Sequence, residues 1–514
     1  MSKPTAPAAE APHNFMQRIL DTVEKVGNRV PHPVIIFLIL IGLVVVLSHI
    51  LHLFGAGVNY DAYNVETGAI EPNTLRARSL LTFEGIRFMF TSVVPNFMGF
   101  NAVGVIIVAM LGVGVAEEAG LVKALIRMLV IVSPRALLTY ILVFVGIVSS
   151  IAADAGYLVL IPLAGVAFAS VGRHPIAGLG AGFASVASAF MVNVVPKPLD
   201  GILMEITNDA IAIAEPGRSI ELMANFWFSL ASVAVLTVLI ALITERIIEP
   251  RLGKFGGGGA EKAEGLTVEE RRGLQFALFG LLGVAAFFAL LTLPPGAPLR
   301  NPETGAILGD SPLMSGLIVA ITIVFLVSGA AYGFGAGTMK NSTDIINAMT
   351  KAVAGLAGLL FLLFVISQFI ALFNYSHMTT IAAVKLADIL TGANLDALWL
   401  LLGFIVVVFA LDLIITGAIP KWAIFAPLFV PLLMRLNVDP EAVLAAYRVG
   451  DSPMNSITPL NAYFALVVTF CQKYQKDAGV GTVVALMLPY VVIVSVVWVV
   501  LFAAWHIFGL PWGL

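Results

Sequence analysis

The chain has 514 residues, of which 59% are hydrophobic and only 11% are charged, whereas soluble domains carry about 25% charged residues. A formal net charge of −3, without a basic tail, excludes nucleic acid as an expected partner. The single cysteine, Cys471, excludes an internal disulfide and a cysteine-rich metal site. The composition therefore predicts a protein of the lipid bilayer.

Residues 1–32 are rich in proline and alanine and then amphipathic. We expect them in the cytoplasm without a cleavable signal, because the first apolar run is long enough to cross a bilayer. Nine runs carry the roughly 20 apolar residues that a crossing needs. We predict transmembrane helices at 33–54, 100–118, 177–205, 222–245, 273–293, 313–332, 353–373, 442–470 and 481–507.

Two further apolar segments, 136–170 and 397–434, are too long for one helix and are interrupted near their centres. The first is broken around Asp154 and the second around Gly417 and Pro420. Two half-helices of about 15 residues suit a hairpin that re-enters on the same side of the membrane better than two full crossings. We therefore predict a first hairpin at 136–170 and a second hairpin at 397–434.

The distribution of basic residues supports this arrangement, because cytoplasmic loops carry an excess of lysine and arginine. With a cytoplasmic N-terminus and two re-entrant hairpins, the C-terminus lies on the opposite side. The cytoplasmic loops then hold Lys123, Arg127, Arg135, Arg173, Arg246, Arg251, Lys254, Lys262, Arg271, Arg272, Lys340, Lys351, Lys473 and Lys476. The outer loops hold fewer: Arg76, Arg78, Arg87, Arg218, Arg300, Lys385 and Arg435.

The two hairpins are followed by similar segments, which indicates an internal repeat. Each hairpin precedes a span that carries asparagine and proline near its centre, at 193–198 and at 455–459. We predict a first repeat at 33–249, a cytoplasmic linker at 250–272, a connecting helix at 273–293 and a second repeat at 313–507. One connecting helix makes the repeats inverted, the architecture of secondary transporters with a site at the repeat interface.

Arg448 and Asp451 lie three residues apart in the last broken span, on one face of a helix. Charges inside a membrane are costly and tend to mark substrate or ion paths. We expect Arg448 to bind a substrate carboxylate and Asp451 to bind the coupling cation or proton. The alternative is that the two side chains neutralise each other as a structural pair.

The second hairpin contributes two candidates. Asp412, expected near the middle of the first arm, is either a proton or cation ligand or a partner for Lys421 across the tip. Trp422 either stacks on an aromatic substrate or anchors the hairpin at the membrane interface.

The first hairpin and the two breaks supply polar candidates. Asp154 with Ser150 suits a small hard cation such as Na⁺, unless Asp154 only caps its own backbone. Amide and hydroxyl groups at the breaks bind either the substrate or the broken backbone: Asn193, Asn455 and Thr458. Lys197 and Asp200 are midplane charges, unless Lys197 extends towards a membrane surface.

Five strings, taken in order, resemble the p-aminobenzoyl-glutamate transporter (AbgT) family over nearly the whole chain after about residue 12. They are SSIAADAGYLVLIPLAGVAF, GRHPIAGLGAGF, KWAIFAPLFVPLL, AAYRVGDSPMNSITPLNAYFAL and YQKDAGVGTVVALMLPY. The resemblance implies a homodimer of nine-helix protomers with two re-entrant hairpins. It implies uptake of p-aminobenzoyl-glutamate or export of sulfonamides, driven by a cation or proton gradient.

The same resemblance carries the family's functional residues onto Trp422, Arg448, Asp451 and Pro459. Two departures touch the expected site. Where the family usually has a TLDPLL-like run, this chain reads VVPKPLD. The family's usual aspartate is therefore either replaced by Lys197 or shifted in the sequence to Asp200. Where the second tip often begins with small hydroxyl residues, this chain reads GAIPKW.

These observations predict an all-α polytopic protein of the bacterial inner membrane that acts as a secondary transporter for aromatic carboxylates or sulfonamides. We expect no cofactor beyond a coupling Na⁺ or H⁺, with Na⁺ at Asp154 or Asp451. A Na⁺-coupled dicarboxylate carrier has a similar plan and is the first alternative. An intramembrane enzyme that uses Asp412 and Asp451 as a catalytic pair is the second, although the chain lacks a protease-type motif.

Overall fold

The structure is a computed structural model, and it describes most of the chain. The described residues are 31–64, 69–131, 133–152, 156–253, 255, 265–308, 311–392, 396–412, 415, 417–458, 460–461 and 463–514. This part is almost entirely helical and contains one antiparallel pair of strands, Gly57–Asn64 and Ala69–Arg76. The all-α polytopic membrane class is therefore confirmed.

Within the described ranges, eight helices are long and apolar enough to cross a membrane. They are Pro33–Leu53, Asn101–Ala119, Phe226–Leu252, Val268–Thr292, Leu317–Ala336, Ala357–Tyr375, Ala418–Arg435 and Val480–Ile507. Seven of them match predicted spans, and the eighth, Ala418–Arg435, belongs to the second hairpin. The other two predicted spans are both broken, so neither appears as one long helix. The count of nine crossings therefore stays a prediction.

Several short elements were not predicted, because the sequence was searched for runs of membrane length. The strand pair and two short helices fall inside 55–99, which the sequence assigned to a loop. The additional helices are Phe83–Thr91, Val93–Met98, Leu121–Ile131, Pro312–Ser315, Ser342–Gly355 and Met378–Gly392. Standard caps begin some of them; the Asn341 side chain, for example, accepts a hydrogen bond from the backbone N–H of Asp344.

Both predicted hairpins consist of two helices joined at a short tip. The first has arms Leu138–Ser149 and Ile161–Ser170, with a 3₁₀ turn at Ser150–Ala152 and a π-helical turn at Gly156–Leu160. The second has arms Ala397–Asp412 and Ala418–Arg435. Gly417 precedes the latter arm with φ +90°, a conformation that side chains other than glycine adopt at a cost.

The two predicted helix breaks are present and lie side by side. The first broken helix comprises Pro175–Ala187 and Pro198–Ala214, and the second comprises Pro440–Asp451, a 3₁₀ turn at Pro453–Ser456, and Phe464–Gln472. Proline lacks a backbone N–H and removes a helical hydrogen bond, which favours breaks beside Pro196, Pro198 and Pro453.

Hydrogen bonds connect the two breaks directly. The Ser188 hydroxyl donates to the Ser456 hydroxyl at 2.8 Å, and the Met191 backbone N–H donates to the Ser452 hydroxyl at 3.2 Å. Polar backbone freed at each break thus finds partners on the other.

Small residues allow tight packing at the first break. Every residue of Pro175–Ala187 is buried. A Cβ atom at Gly178 would lie 2.4 Å from the carbonyl oxygen of Ala164, so glycine is required for the first hairpin's second arm to pack this closely. The hairpins and broken helices therefore form the buried centre of the molecule.

Candidate functional site

A buried lysine occupies the centre of the second half. Lys421, one turn into the second arm of the second hairpin, pairs with Asp412 and, at 2.7 Å, with Asp451. Each of the three residues is at most 1% exposed. We call Asp412, Lys421 and Asp451 the Lys421 triad. Asp412 is the last residue of its arm and not near the middle, and its predicted partnership with Lys421 across the tip is confirmed.

Hydrogen-bond donors surround Asp451. The Tyr447 hydroxyl lies 3.0 Å from Asp451 Oδ1 and 2.5 Å from the carbonyl oxygen of Ala418. Asn455 donates its amide hydrogens to Asp451 Oδ2 at 3.3 Å and to the backbone carbonyl of Asp451 at 3.1 Å. In this conformation the Asn455 side chain therefore orients Asp451 and its broken backbone.

Trp422 is a buried packing residue in this conformation. Its ring stacks on Tyr447 at a centroid distance of 4.6 Å. Its indole N–H points to the Thr207 hydroxyl at 3.0 Å and to the carbonyl of Leu203 at 3.2 Å. The side chain is fully buried, so the alternative of an interfacial anchor is wrong. Trp422 instead joins the second hairpin to the first broken helix.

Arg448 pairs with the first half of the chain and not with Asp451. Its Nη1 donates to Asp200 Oδ1 at 2.5 Å and to the Met191 carbonyl at 2.8 Å, and its Nε donates to Asn225 Oδ1 at 3.0 Å. The expected alternative, in which Arg448 and Asp451 neutralise each other, is wrong. Arg448 pairs with Asp200, whereas Asp451 pairs with Lys421.

Lys197 lies beside this pair. Its ammonium contacts the carbonyl of Phe190, lies 3.3 Å from the Ser150 hydroxyl and sits 4.5 Å above the Phe190 ring. Asp200 accepts the Lys197 backbone N–H at 2.9 Å and so caps the helix that follows. Lys197 is 2% exposed, so its expected extension towards a membrane surface is wrong. We call Lys197, Asp200 and Arg448 the Arg448 cluster.

The remaining polar candidates bond the protein itself. Asn193 donates to the carbonyl of Val148 at 3.1 Å and to the Ser150 hydroxyl at 3.0 Å, which joins the first break to the first hairpin. Thr458 is buried, and its hydroxyl lies 3.4 Å from the backbone N–H of Leu460. Asp154 and Pro459 lie outside the described residues, so their predicted roles stay predictions.

The sequence interpretation missed two partners in this centre. Tyr447 lies four residues before Asp451, a spacing that places both side chains on one helix face and that could have revealed it. Asn225 comes from the start of another helix, and no local pattern marks it. Both residues hold a charged candidate in position.

A small cavity borders the Arg448 cluster. Its volume is about 20 Å³, enough for roughly one water molecule. Arg448, Asp200, Asn193, Asn225 and Ser229 contribute its polar lining. A neighbouring cavity of about 250 Å³ shares Leu222 with it and contains Glu205 and Glu221. This conformation thus places a buried cation next to a space too small for an organic solute.

The sequence matches the model of the AbgT transporter family over residues 18–514. The chain belongs to the AbgT transporter family. It is 35% identical over 493 residues to the p-aminobenzoyl-glutamate transport protein of Escherichia coli K12, covering 96% of this chain and 95% of that protein. The chain is therefore a transporter and not an enzyme.

Two solved structures of AbgT transporters are similar over almost their entire length. The Alcanivorax borkumensis YdaH transporter superimposes with a TM-score of 0.88 at 40% identity, covering 94% of this chain and all of that one. Neisseria gonorrhoeae MtrF, described among antimetabolite efflux pumps, gives a TM-score of 0.88 at 37% identity, covering 95% and 97%. The membrane-embedded transporter fold is thus shared.

Proposed function

We propose that this AbgT transporter is a secondary active transporter of the bacterial inner membrane, coupled to a cation or proton gradient. Its solutes are p-aminobenzoyl-glutamate-like or sulfonamide-like aromatic compounds. The observation that carries the proposal is the buried guanidinium of Arg448, which borders a cavity where the two broken helices meet. Buried cations at discontinuous helices are typical of anion-binding sites in transporters.

Arg448 binds the solute by exchanging its present partner, the Asp200 carboxylate, for a carboxylate of the solute. Asp200 now lies 2.5 Å from Arg448 Nη1. A solute carboxylate that takes this place satisfies the same charged donor, so the exchange does not leave a buried cation unpaired. Asn193, next to the cavity, offers an amide to the solute once its present bonds to the first hairpin open.

Trp422 provides an aromatic surface for the solute ring. Asn455, Thr458 and Pro459, whose positions in the sequence fall at the second break, complete the proposed substrate site. The proposal requires Trp422 to leave its stacked position on Tyr447 during the cycle, because the ring is fully buried in this conformation. Alternating access between two conformations of the hairpins supplies such a rearrangement.

The acidic groups couple transport to the ion gradient. We assign this role to Asp451 and Asp412 in the Lys421 triad and to Asp154 with Ser150 at the first hairpin. Buried carboxylates inside membranes are typical of proton relays and cation paths. The N-terminus is proposed to be cytoplasmic and the C-terminus to lie on the opposite side, with two protomers forming a homodimer.

The two relatives are named for different solutes, and only the second name gives a direction. The Escherichia coli relative is named for p-aminobenzoyl-glutamate transport, and MtrF is described with antimetabolite efflux pumps. Both kinds of solute present an aromatic ring with an acidic or polar group, which fits Arg448 together with Trp422.

Purified protein in liposomes tests the proposal. Radiolabelled p-aminobenzoyl-glutamate should move only when an H⁺ or Na⁺ gradient is imposed, and transport that continues after both gradients collapse contradicts the coupling. Arg448→Ala should abolish solute binding, whereas Asp451→Asn should keep binding and lose the ion dependence. Lys351→Ala, which removes an exposed pair with Glu118, is the matched control and should behave like wild type.

Competition distinguishes the dicarboxylate alternative. Excess succinate should leave p-aminobenzoyl-glutamate binding unchanged. If succinate competes and p-aminobenzoyl-glutamate itself does not bind, the chain is a dicarboxylate carrier. Proposed topology and assembly are checked in the same preparations by labelling cysteines introduced at either terminus and by cross-linking.

A further inference from the structure

The assigned coupling site already contains a cation of its own. Asp412 and Asp451 are the proposed acidic ligands, but Lys421 Nζ lies between them and pairs with both. The three side chains come from three different segments: the end of one hairpin arm, the start of the next arm, and the second broken helix. Lys421 thus makes the connection that a bound metal cation would make.

The atoms around Asp451 do not fit a Na⁺ ion. Hard cations are bound by oxygen lone pairs. Here Oδ1 of Asp451 lies 2.7 Å from the Lys421 ammonium and 3.0 Å from the Tyr447 hydroxyl, and Oδ2 accepts a hydrogen bond from Asn455 at 3.3 Å. The Lys421 ammonium and the Asn455 amide nitrogen face the carboxylate with hydrogens, so neither group offers a lone pair to a metal ion.

Because the triad is buried, replacement of the Lys421 ammonium by a Na⁺ ion between the two carboxylates costs free energy. None of its side chains is more than 1% exposed, and the ammonium is fully buried. Displacement of Lys421 by Na⁺ would leave the ammonium buried without a carboxylate, and an unpaired buried charge is strongly unfavourable. A free Na⁺ ion would also have to lose its hydration shell to gain the same two carboxylates.

We infer that Lys421 is a tethered cation that takes the place of Na⁺ between Asp412 and Asp451. It is the residue that sets ion specificity, and transport through this site does not use Na⁺. The inference rests on the proposed function in one respect, the treatment of the triad as the coupling site. The proposed function allows Na⁺ or H⁺ as the coupling ion; the inference excludes Na⁺ at this site and retains H⁺.

The inference predicts a specific property of a variant in which Lys421 is replaced by an uncharged residue. Removal of Lys421 brings two buried carboxylates together without compensation, and such a pair favours any cation that can enter. A serine at this position adds a hydroxyl oxygen and leaves space. Lys421→Ser should therefore create a Na⁺ site where wild type has none.

Thermal unfolding of the purified full-length protein in detergent tests this without any solute. Wild type should melt at the same temperature in NaCl and in choline chloride of equal ionic strength. Lys421→Ser should melt lower than wild type in choline chloride and shift upward in NaCl, because an ion that binds only the folded state stabilises it. Lys421→Arg and the surface variant Lys351→Ala should show no Na⁺-specific shift.

A Na⁺-specific rise in the wild-type melting temperature overturns the inference. So does a folded Lys421→Ser that does not respond to Na⁺. If Lys421→Ser does not fold, the double variant Lys421→Ser with Asp412→Asn is measured instead. Its formal charge at the site equals that of wild type. If its melting temperature shows no Na⁺-specific shift, the inference is overturned too. Failure of wild type to bind p-aminobenzoyl-glutamate contradicts the proposed function alone, because the melting experiment contains no solute.

Discussion

The Arg448 cluster contains two cationic side chains and one carboxylate, whereas the Lys421 triad contains two carboxylates and one cationic side chain. Both lie where hairpins and broken helices meet, and one helix, Pro440–Asp451, contributes a residue to each. The formal excess charge is positive in the first and negative in the second. These charges favour an anion at the first and a proton at the second, which fits the proposed coupling of anionic solutes to H⁺.

The two groups also differ in access. The Arg448 cluster borders a cavity, with Arg448 5% and Asp200 8% exposed, whereas the triad has no residue above 1%. The first borders empty space, which has to enlarge before a solute can enter. The second is enclosed by protein and changes partners only when its helices move.

The sharpest test of this contrast replaces each lysine by an apolar residue of similar length. Lys421→Met should lower the free energy of unfolding by about 3–5 kcal/mol, because it leaves two buried carboxylates without their cation. Lys197→Met should cost less, about 1–3 kcal/mol, because the Phe190 carbonyl loses its charged donor while the Ser150 hydroxyl still accepts from Asn193. Denaturant titrations in detergent compare them, and equal losses would contradict the contrast.

Substitutions of Arg448 separate its charge from its shape. Arg448→Ala should cost about 2–5 kcal/mol, since Asp200 loses its charged partner. Arg448→Lys should retain more stability but bind p-aminobenzoyl-glutamate poorly, because an ammonium cannot present the planar fork that matches a carboxylate. Melting temperatures and equilibrium binding measure both effects. Wild-type affinity in Arg448→Lys would argue against carboxylate recognition by the guanidinium.

Trp422→Phe tests the link between the second hairpin and the first broken helix. Phenylalanine keeps an aromatic ring against Tyr447 but loses the indole N–H that points to Thr207. The expected loss is about 1–3 kcal/mol, because a buried acceptor is left without its donor. Thr207→Val completes a double-mutant cycle, and a coupling energy near zero would show that the hydrogen bond does not contribute.

Ser188→Ala should have the smallest effect. It removes one hydroxyl-to-hydroxyl bond between the two breaks, and a neutral hydrogen bond contributes about 0.5–1.5 kcal/mol. Ser185→Ala is a suitable control, since its hydroxyl bonds only a carbonyl in its own helix. A larger loss in the control than in Ser188→Ala would contradict a connection between the breaks.

The sequence predicts the hairpins and the broken helices because proline, glycine and polar residues concentrate at those points within apolar runs. It predicts one charge pair, Asp412 with Lys421, and misses the others. Local spacing favoured Arg448 with Asp451, but Arg448 reaches Asp200, which lies 248 residues earlier in the chain. Such contacts depend on how distant segments pack, and spacing within one helix carries no information about them.

The strand pair Gly57–Asn64 and Ala69–Arg76 was missed for a different reason. The first strand alternates only from Val58 to Ala62, and the second does not alternate and contains Pro72, so the signal for a strand pair is weak. Lys421 was considered only as a partner for Asp412. Its second contact, with Asp451, became visible only when the hairpin tip and the broken helix were placed together.

The hydrogen bonds between the two breaks place a mechanical limit on the transport cycle. Any motion that separates the breaks has to rupture the bonds from Ser188 to Ser456 and from Met191 to Ser452. Displacement of the hairpin arms leaves both bonds intact. We therefore expect the paired breaks to move together, and the difference between inward-facing and outward-facing forms to lie mainly at the hairpins.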